Sequence, residues 1–406
     1  MTQRIALAAV LALSLAVLPP RETRACGGAF WSVEDVTLTG EIEGQRTLLV
    51  YDGTTVRHFV QVAYAGDPKA FAWVYPLPAE PEPLQEVEDG DALFRMLDEM
   101  TRPEFHVRVI HEGGSDGGGC SFGCMGAAGA GDDLQARDVG SDGDGGVTIW
   151  GGGRVGVFDY VVLTAASIDP LRTWLADNGF AVPAAALPVL EHYVAESFYF
   201  VAMKVDAESA AAAGEASTST VLFRYPETRR VYPLHMASIG AAPDTSVVLY
   251  VIAENRVDAG GYPTVEIDPS ALQATESASG YTVNYDEVFD STLAEAGGAA
   301  FVTEFSGHVA GVNGWSPSLL DLGYWFDGNL TRLRTTMDAT LMTDDLELVA
   351  AADPAPVSRD FDFELHVASS AGGGSPDVLL ALTVPFVIAW RDRRRASRLH
   401  SGRAAR

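Results

Sequence analysis

Arg46-Thr47-Leu48-Leu49-Val50-Tyr51-Asp52-Gly53-Thr54-Thr55-Val56-Arg57-His58-Phe59-Val60-Gln61-Val62-Ala63-Tyr64 reads as strand, turn and strand. Residues 47–51 and 56–64 are rich in β-branched and aromatic side chains, and Asp52-Gly53 between them is a hairpin signal. Working outward, residues 71–75 form another strand that meets Pro76, and Pro78, Pro81 and Pro83 continue it as an extended linker. Leu93, Phe94, Leu97 and Met100 then recur at helical spacing, with Asp91 placed to cap the helix and Pro103 to block its continuation. Residues 105–110 are again strand-like.

Further along, residues 147–150, 155–164, 198–205, 218–224, 231–238 and 246–252 read as strands, and 330–337 and 361–368 as late strands or short helices. Asp169 is placed to cap a helix with Pro170 in its first turn, Leu171, Trp174 and Leu175 on one face and Gly179 at its end. A second helix is expected over 184–197. Strands outnumber helices and mostly connect through short turns. The expected fold class is therefore α+β, predominantly antiparallel β-sheet with a few short helices. An Ala-rich stretch near 207–217 is a candidate seam between two β-rich lobes, and the Gly/Asp-rich stretch 113–146 reads as a long surface loop.

The two ends of the chain speak to location. Arg4 precedes an apolar run over 5–18, and Thr23-Arg24-Ala25 puts small residues where a signal peptidase reads, so 1–25 is expected to be a signal peptide cut before Cys26. The run is too short to span about 30 Å of hydrocarbon. Thr23 and Arg24 stand where a lipidation signal needs Leu and a small residue, so a lipid-modified Cys26 is not expected. At the other end, residues 369–377 form a Gly/Ser linker. An apolar segment, 378–390, comes next, and then a basic tail, 391–406, with seven arginines and one acid. Counted from Ala371, the apolar segment is long enough to anchor the chain in a membrane, and the arginines would hold the tail on the cytoplasmic side. The body would then stand outside.

Composition narrows the partners. The formal net charge of −28 accumulates before a basic tail, so the body itself is strongly acidic. Such a surface repels phosphate backbones and excludes nucleic acid as an expected partner. With 47% hydrophobic residues the chain has ample material for a core.

Several motifs invite chemistry. Gly113-Gly114-Ser115-Asp116-Gly117 matches a hydrolase nucleophile elbow, but Gly118 and Gly119 stand where a helix is required, so Ser115 is read as a chance match. Asp132, Asp133, Asp138, Asp142 and Asp144 crowd hard oxygen ligands into one loop. Asp138, Asp142 and Asp144 are the calcium candidates, although no bidentate Glu stands at EF-hand spacing. The eight histidines show no zinc spacing, so no other cofactor is expected. Cleavage after Ala25 would leave Cys26 with its thiol beside a free α-amino group, the arrangement of an amidohydrolase with an N-terminal nucleophile.

Cys26-Gly27-Gly28-Ala29-Phe30, Phe71-Ala72-Trp73-Val74-Tyr75-Pro76-Leu77-Pro78, Trp174-Leu175 with Asn178-Gly179, and Leu330-Thr331-Arg332-Leu333 with Asp345-Leu346 together resemble the bacterial family called domain of unknown function 2330. The resemblance runs over nearly the whole exported part. It implies an exported protein, often with a C-terminal membrane segment, and no established activity. The family's opening motif usually carries a second cysteine five residues after the first, where this chain has Trp31. That departure leaves Cys120 and Cys124 as the expected disulfide, with Gly123 between them to permit a tight turn in an oxidising compartment. The Gly372-Gly373-Gly374-Ser375 linker, apolar run and Arg cluster also resemble C-terminal sorting signals. The resulting expectation is an acidic, non-enzymatic binding or structural module. It would be displayed at the cell envelope, held by the membrane and engaged with another envelope component. The alternative is the Cys26 amidohydrolase.

Overall fold

After a short strand, β1 (Gly28–Ser32), the chain forms the expected hairpin from β2 (Glu41–Tyr51) and β3 (Thr55–Ala65), paired antiparallel. The turn is closed by Asp52, whose Oδ1 accepts from the Thr54 N–H at 3.0 Å and the Thr55 N–H at 2.7 Å. Gly53 takes a φ of +86°, which a side chain would disfavour. In the computed structural model the described residues are 28–32, 41–65, 71–112, 146–205, 216–239, 241, 244–277, 280–310 and 327–368.

Next come β4 (Phe71–Leu77), β5 (Gln85–Glu86), helix α1 (Gly90–Thr101) and β6 (Glu104–Glu112). The middle of the chain supplies β7 (Val147–Val155), β8 (Phe158–Ala165), α2 (Ile168–Asp177), β9 (Phe180–Ala181), α3 (Leu187–Ala195) and β10 (Tyr199–Val205). After these stand β11 (Ala216–Pro226), β12 (Val231–Tyr232), α4 (Leu234–Ala237), β13 (Thr245–Ala253), β14 (Val257–Gly260), β15 (Thr264–Val265), β16 (Ala274–Ser277) and β17 (Gly280–Val283). The last elements are α5 (Tyr285–Glu295), β18 (Phe301–Ala310), β19 (Asp327–Met337), β20 (Leu346–Ala350) and β21 (Asp360–Ala368).

Two sheets dominate, one of six strands in the order β7-β8-β10-β4-β1-β9 and one of eight in the order β15-β18-β19-β13-β2-β3-β11-β5. Among the described residues the pairings are antiparallel except β13 with β2, β15 with β18 and β21 with β6. The fold class is thus α+β with mostly antiparallel sheet, as expected. β10 and β11, on either side of the seam near 207–217, lie in different sheets, while residues 206–215 fall outside the described set.

Side-chain alternation stacks the sheets into layers. Leu49, Tyr51, Val60, Phe223, Leu249 and Val251 of the large sheet share one core cluster with Trp73, Tyr75, Phe158, Val201 and Met203 of the small sheet. The intervening residues Leu48, Val50, Phe59, Leu222, Tyr250 and Ile252 face the other way and meet Leu93, Phe94 and Leu97 of α1. The outer face of the small sheet, with Ala72, Val74, Leu163 and Phe200, is covered by Leu171 and Leu175 of α2 and Leu190 and Tyr193 of α3. The central strands of both sheets are therefore buried on both faces, while β7 at the edge of the small sheet keeps exposed residues. Helix α1 approaches so closely that a Cβ on Gly90 would lie 1.9 Å from Thr220 Oγ1. Glycine is required there by contact rather than by φ.

Three local expectations need correction. Asp89 rather than Asp91 is the N-cap of α1, and Asp91 lies in the first turn, where its carboxylate accepts from Gln61. Ser167 rather than Asp169 is the N-cap of α2, because the helix already starts at Ile168. Residues 231–238 are not one strand. Pro233 has no N–H to give to a ladder, so β12 ends at Tyr232 and the chain turns into α4.

Candidate functional site

Polar side chains inside the layers separate into groups with different chemistry. His58 projects from β3 into the core between the sheets, where it is fully buried. Its Nε2 lies 3.0 Å from the Tyr75 hydroxyl and its Nδ1 3.3 Å from the Tyr225 hydroxyl. A neutral imidazole has one N–H and one lone pair, so one tyrosine accepts and the other donates. Burial holds the ring neutral and pushes its pKa down to about 3. The Phe71–Leu77 strand, whose sequence carried part of the family resemblance, supplies Tyr75 to this arrangement.

A second group ties α1, β18, β19 and α5 together. Glu304, fully buried, accepts from Arg332 Nε at 2.7 Å, Arg334 Nη1 at 3.2 Å and the Tyr285 hydroxyl at 2.8 Å. Arg332 in turn reaches Asp98 of α1 at 2.7 Å, with the Tyr250 hydroxyl and Thr101 Oγ1 at 3.3 Å. Every charge has a partner of opposite sign, which suits cohesion between elements.

The third group lies at a surface where three segments converge, and it is the candidate site. The Tyr193 hydroxyl of α3 donates to Asp345 and accepts from the Met236 N–H at 2.9 Å. Asp345 also accepts the His235 N–H at 3.1 Å, so one carboxylate joins α3, α4 and the segment entering β20. His192 and His235 meet edge to face with ring centroids 5.3 Å apart, and His235 Nδ1 is a buried atom with no hydrogen-bond partner among the described residues. Burial raises Asp345 to about 6, against the lowering effects of the Tyr193 and His235 hydrogen bonds and of nearby His192 and Arg229. Burial and His192 both lower His235, while Asp344 opposes them. Burial thus favours the uncharged form of both the carboxyl and the imidazole. In the sequence Asp345-Leu346 signals only the family resemblance, and nothing local signals that Tyr193 and His235 join it from 152 and 110 residues away.

The residues singled out in the sequence for chemistry lie elsewhere. Cys26, Ser115, Cys120, Cys124, Asp132, Asp133, Asp138, Asp142 and Asp144 are outside the described residues. Among the described residues Glu104, His106 and Asp360 bring potential ligand atoms within 4.8 Å of one another. All three are exposed, and Glu104 is already paired with Arg359 at 2.6 Å and His106 with Asp360 at 3.3 Å. Among the described residues no helix is long and apolar enough to cross a membrane, and the run 378–390 lies outside them.

Comparison with known proteins gives one firm relation. No relative was found among curated proteins. Among solved structures the chain is similar to the crystal structure of baculovirus P35, with 9% identity and a TM-score of 0.29 over 78% of this chain and 98% of that one, a likeness too slight to carry an argument. A family model described as uncharacterized protein conserved in bacteria (DUF2330) matches residues 20–349, which include β1, the His58 and Arg332 groups and the whole of the Tyr193–Asp345 cluster. With most of its length matched, the chain belongs to that bacterial family.

Proposed function

We propose that this protein is an exported, acidic, non-enzymatic module, tethered to the membrane by its C-terminal segment and displaying its double-sheet body to another envelope component. The observation that carries this reading is the way the body closes. β21 pairs in parallel with β6 along all nine of its residues, from Asp360↔Glu104 to Ala368↔Glu112. Phe361 and Phe363 pack beside Phe105 against the Tyr285 and Phe289 cluster. This ladder ties the last described strand back to the body, and the linker, the apolar run and the arginines follow it in sequence. The interior supports a scaffold role as well, because His58 and the Glu304–Arg332 group are turned toward internal partners.

Deleting residues 369–406 is expected to release the body in soluble form with unchanged melting temperature. Replacing Val384 and Val387 by Asp should release the full-length chain as well, because two charges in a segment of near-minimum length make insertion unfavourable by several kcal/mol, about 3 each at mid-membrane. Retention of either form in the membrane fraction would remove the tether from this reading.

The Cys26 amidohydrolase is the second reading. It is favoured by β1, which starts two residues after Cys26 and sits between β4 and β9, with Gly28 opposite Val74 and Trp31 opposite Ala181. A new N-terminus at Cys26 would therefore adjoin a strand fixed on both sides. Mass spectrometry of the mature N-terminus with thiol alkylation separates the readings. A blocked, oxidised or absent Cys26 ends the enzyme reading, whereas loss of a hydrolytic activity on alkylation would replace the scaffold reading by it.

A further inference from the structure

We propose that Trp150, on the edge strand of the small sheet, and Tyr199, two strands further in, form a binding shelf for a neutral or N-acetylated saccharide chain. This deepens the reading of the body as a module that engages an envelope component, and it rests on that reading.

The shelf is built by an irregularity in β7. Ile149 pairs with Leu163 and Gly151 with Val162, so Trp150 is an extra residue in a bulge. A bulge re-aims a side chain, and here it turns the indole onto the surface, where Trp150 is 47% exposed. The ring is nonetheless held in place. Its Nε1–H donates to Thr164 Oγ1 at 2.9 Å, and its face tilts against Tyr199 of β10 with centroids 5.5 Å apart. Ordering an indole costs conformational freedom at the moment of binding, so a ring locked in the free protein is prepared for a ligand.

Beside the indole the strand continues as Gly151-Gly152-Gly153. A Cβ at Gly151 would meet nothing within 4 Å, whereas one at Gly152 or Gly153 would meet Tyr160 at 2.8 or 3.4 Å, so the open space beside the ring lies at Gly151. Thr148 and Thr164 pair across β7 and β8, and Tyr199 lies close enough to Glu80 for that carboxylate to raise its hydroxyl pKa, after the larger effect of burial. The setting is one apolar plane rimmed by hydroxyls and a carboxylate.

That chemistry selects among occupants. A lipid surface calls for a broad apolar patch with basic residues around it, and this patch is one aromatic pair with an acidic neighbour. Nucleic acid would stack on the ring, but a body with this excess of negative charge repels polyphosphate. A peptide strand adding to the β7 edge would have to cross the bulge, which breaks ladder register at Trp150. A sugar ring has a C–H face for the indole and hydroxyls for Thr148, Thr164, Tyr199 and Glu80. An uncharged or N-acetylated sugar avoids the charge conflict.

The test uses the full-length chain, kept in solution by a mild detergent without a sugar headgroup. Tetramers of β-1,4-linked N-acetylglucosamine and of β-1,4-linked glucose are titrated at millimolar concentration and monitored by calorimetry and nuclear magnetic resonance, with a polyuronate as the charged control. Binding of at least one neutral tetramer and none of the polyuronate is expected. Trp150→Ala should weaken binding at least tenfold without changing the melting temperature, and Tyr199→Phe should weaken it less. Val349→Ser, which alters an exposed apolar residue on a different sheet, should leave binding intact. No binding of either tetramer, or binding that survives Trp150→Ala, overturns the saccharide assignment. If the body instead binds isolated envelope protein through Trp150, the saccharide falls and the module reading stands. If it binds neither sugar nor envelope material, both fall.

Discussion

Replacing Glu304 by alanine is expected to destabilise the fold by roughly 3–5 kcal/mol, the range for breaking a buried ion pair by removing one partner. The substitution leaves the nearly buried guanidinium of Arg332 with Asp98 as its one carboxylate partner among the described residues and deprives Arg334 and the Tyr285 hydroxyl of their common acceptor. These groups come from α1, β18, β19 and α5, so the loss is felt where four elements meet. Urea unfolding at constant m-value reads it as a lower midpoint. Asp159→Ala breaks the exposed Arg154–Asp159 pair and should cost less than about 1 kcal/mol. The double replacement Glu304→Leu with Arg332→Met should be milder than Glu304→Ala alone, because no charge is stranded beside Asp98 in the interior. A cost for Glu304→Ala no larger than that for Asp159→Ala would show that Glu304 does not organise this junction.

Acid should act through His58. Its pKa in the fold, about 3, lies below its unfolded value, so the folded state refuses a proton that the unfolded chain accepts. The associated stability is fully present above pH 6.5 and is lost as pH falls through that value toward 3. The loss is about 1.4 kcal/mol per pH unit, or about 3 kcal/mol by pH 4. Asp345 works in the opposite sense. Its carboxyl is raised to about 6, so its contribution is least favourable above that pH and improves as pH falls through 6 toward the ordinary carboxylate range. Between about pH 6 and 4 the two effects largely cancel in the wild type. His58→Gln, which keeps a donor and an acceptor for Tyr75 and Tyr225, leaves the Asp345 effect alone, so its stability should rise as pH falls from 6 toward 4, while Asp345→Asn leaves the His58 effect alone and should lose stability over the same range. Denaturation midpoints at pH 7, 6, 5 and 4 decide the matter. A His58→Gln slope equal to that of the wild type would mean that the imidazole is not buried as described.

The hairpin was legible because its information is local. Asp52-Gly53 and the flanking β-branched runs determine it without help from distant residues, and Leu93, Phe94 and Leu97 mark α1 in the same way. The parallel pairing of β2 with β13, some two hundred residues away, has no local signal, and neither does that of β6 with β21. Polar residues within strands are hard to place from sequence for a related reason. In a sheet with one wet face, His58 and Glu304 would be read as outward positions on alternating strands, but both faces are covered here. The continuous apolar run of β13, Val247-Val248-Leu249-Tyr250-Val251-Ile252, is the visible sign of that double burial. Trp150-Gly151-Gly152-Gly153 looked like the end of one strand and the approach to another. The extra residue that turns the indole outward becomes apparent only when β7 is aligned with β8.

The central claim, a body outside the membrane tethered by its C-terminal segment, is tested most directly by protease treatment of intact spheroplasts carrying the full-length chain with an epitope after Arg406. The account predicts that the body is digested from outside while a small epitope-bearing fragment stays membrane-bound and protected until the membrane is opened. A full-length chain that resists protease until lysis, or an epitope lost together with the body in intact spheroplasts, would contradict it.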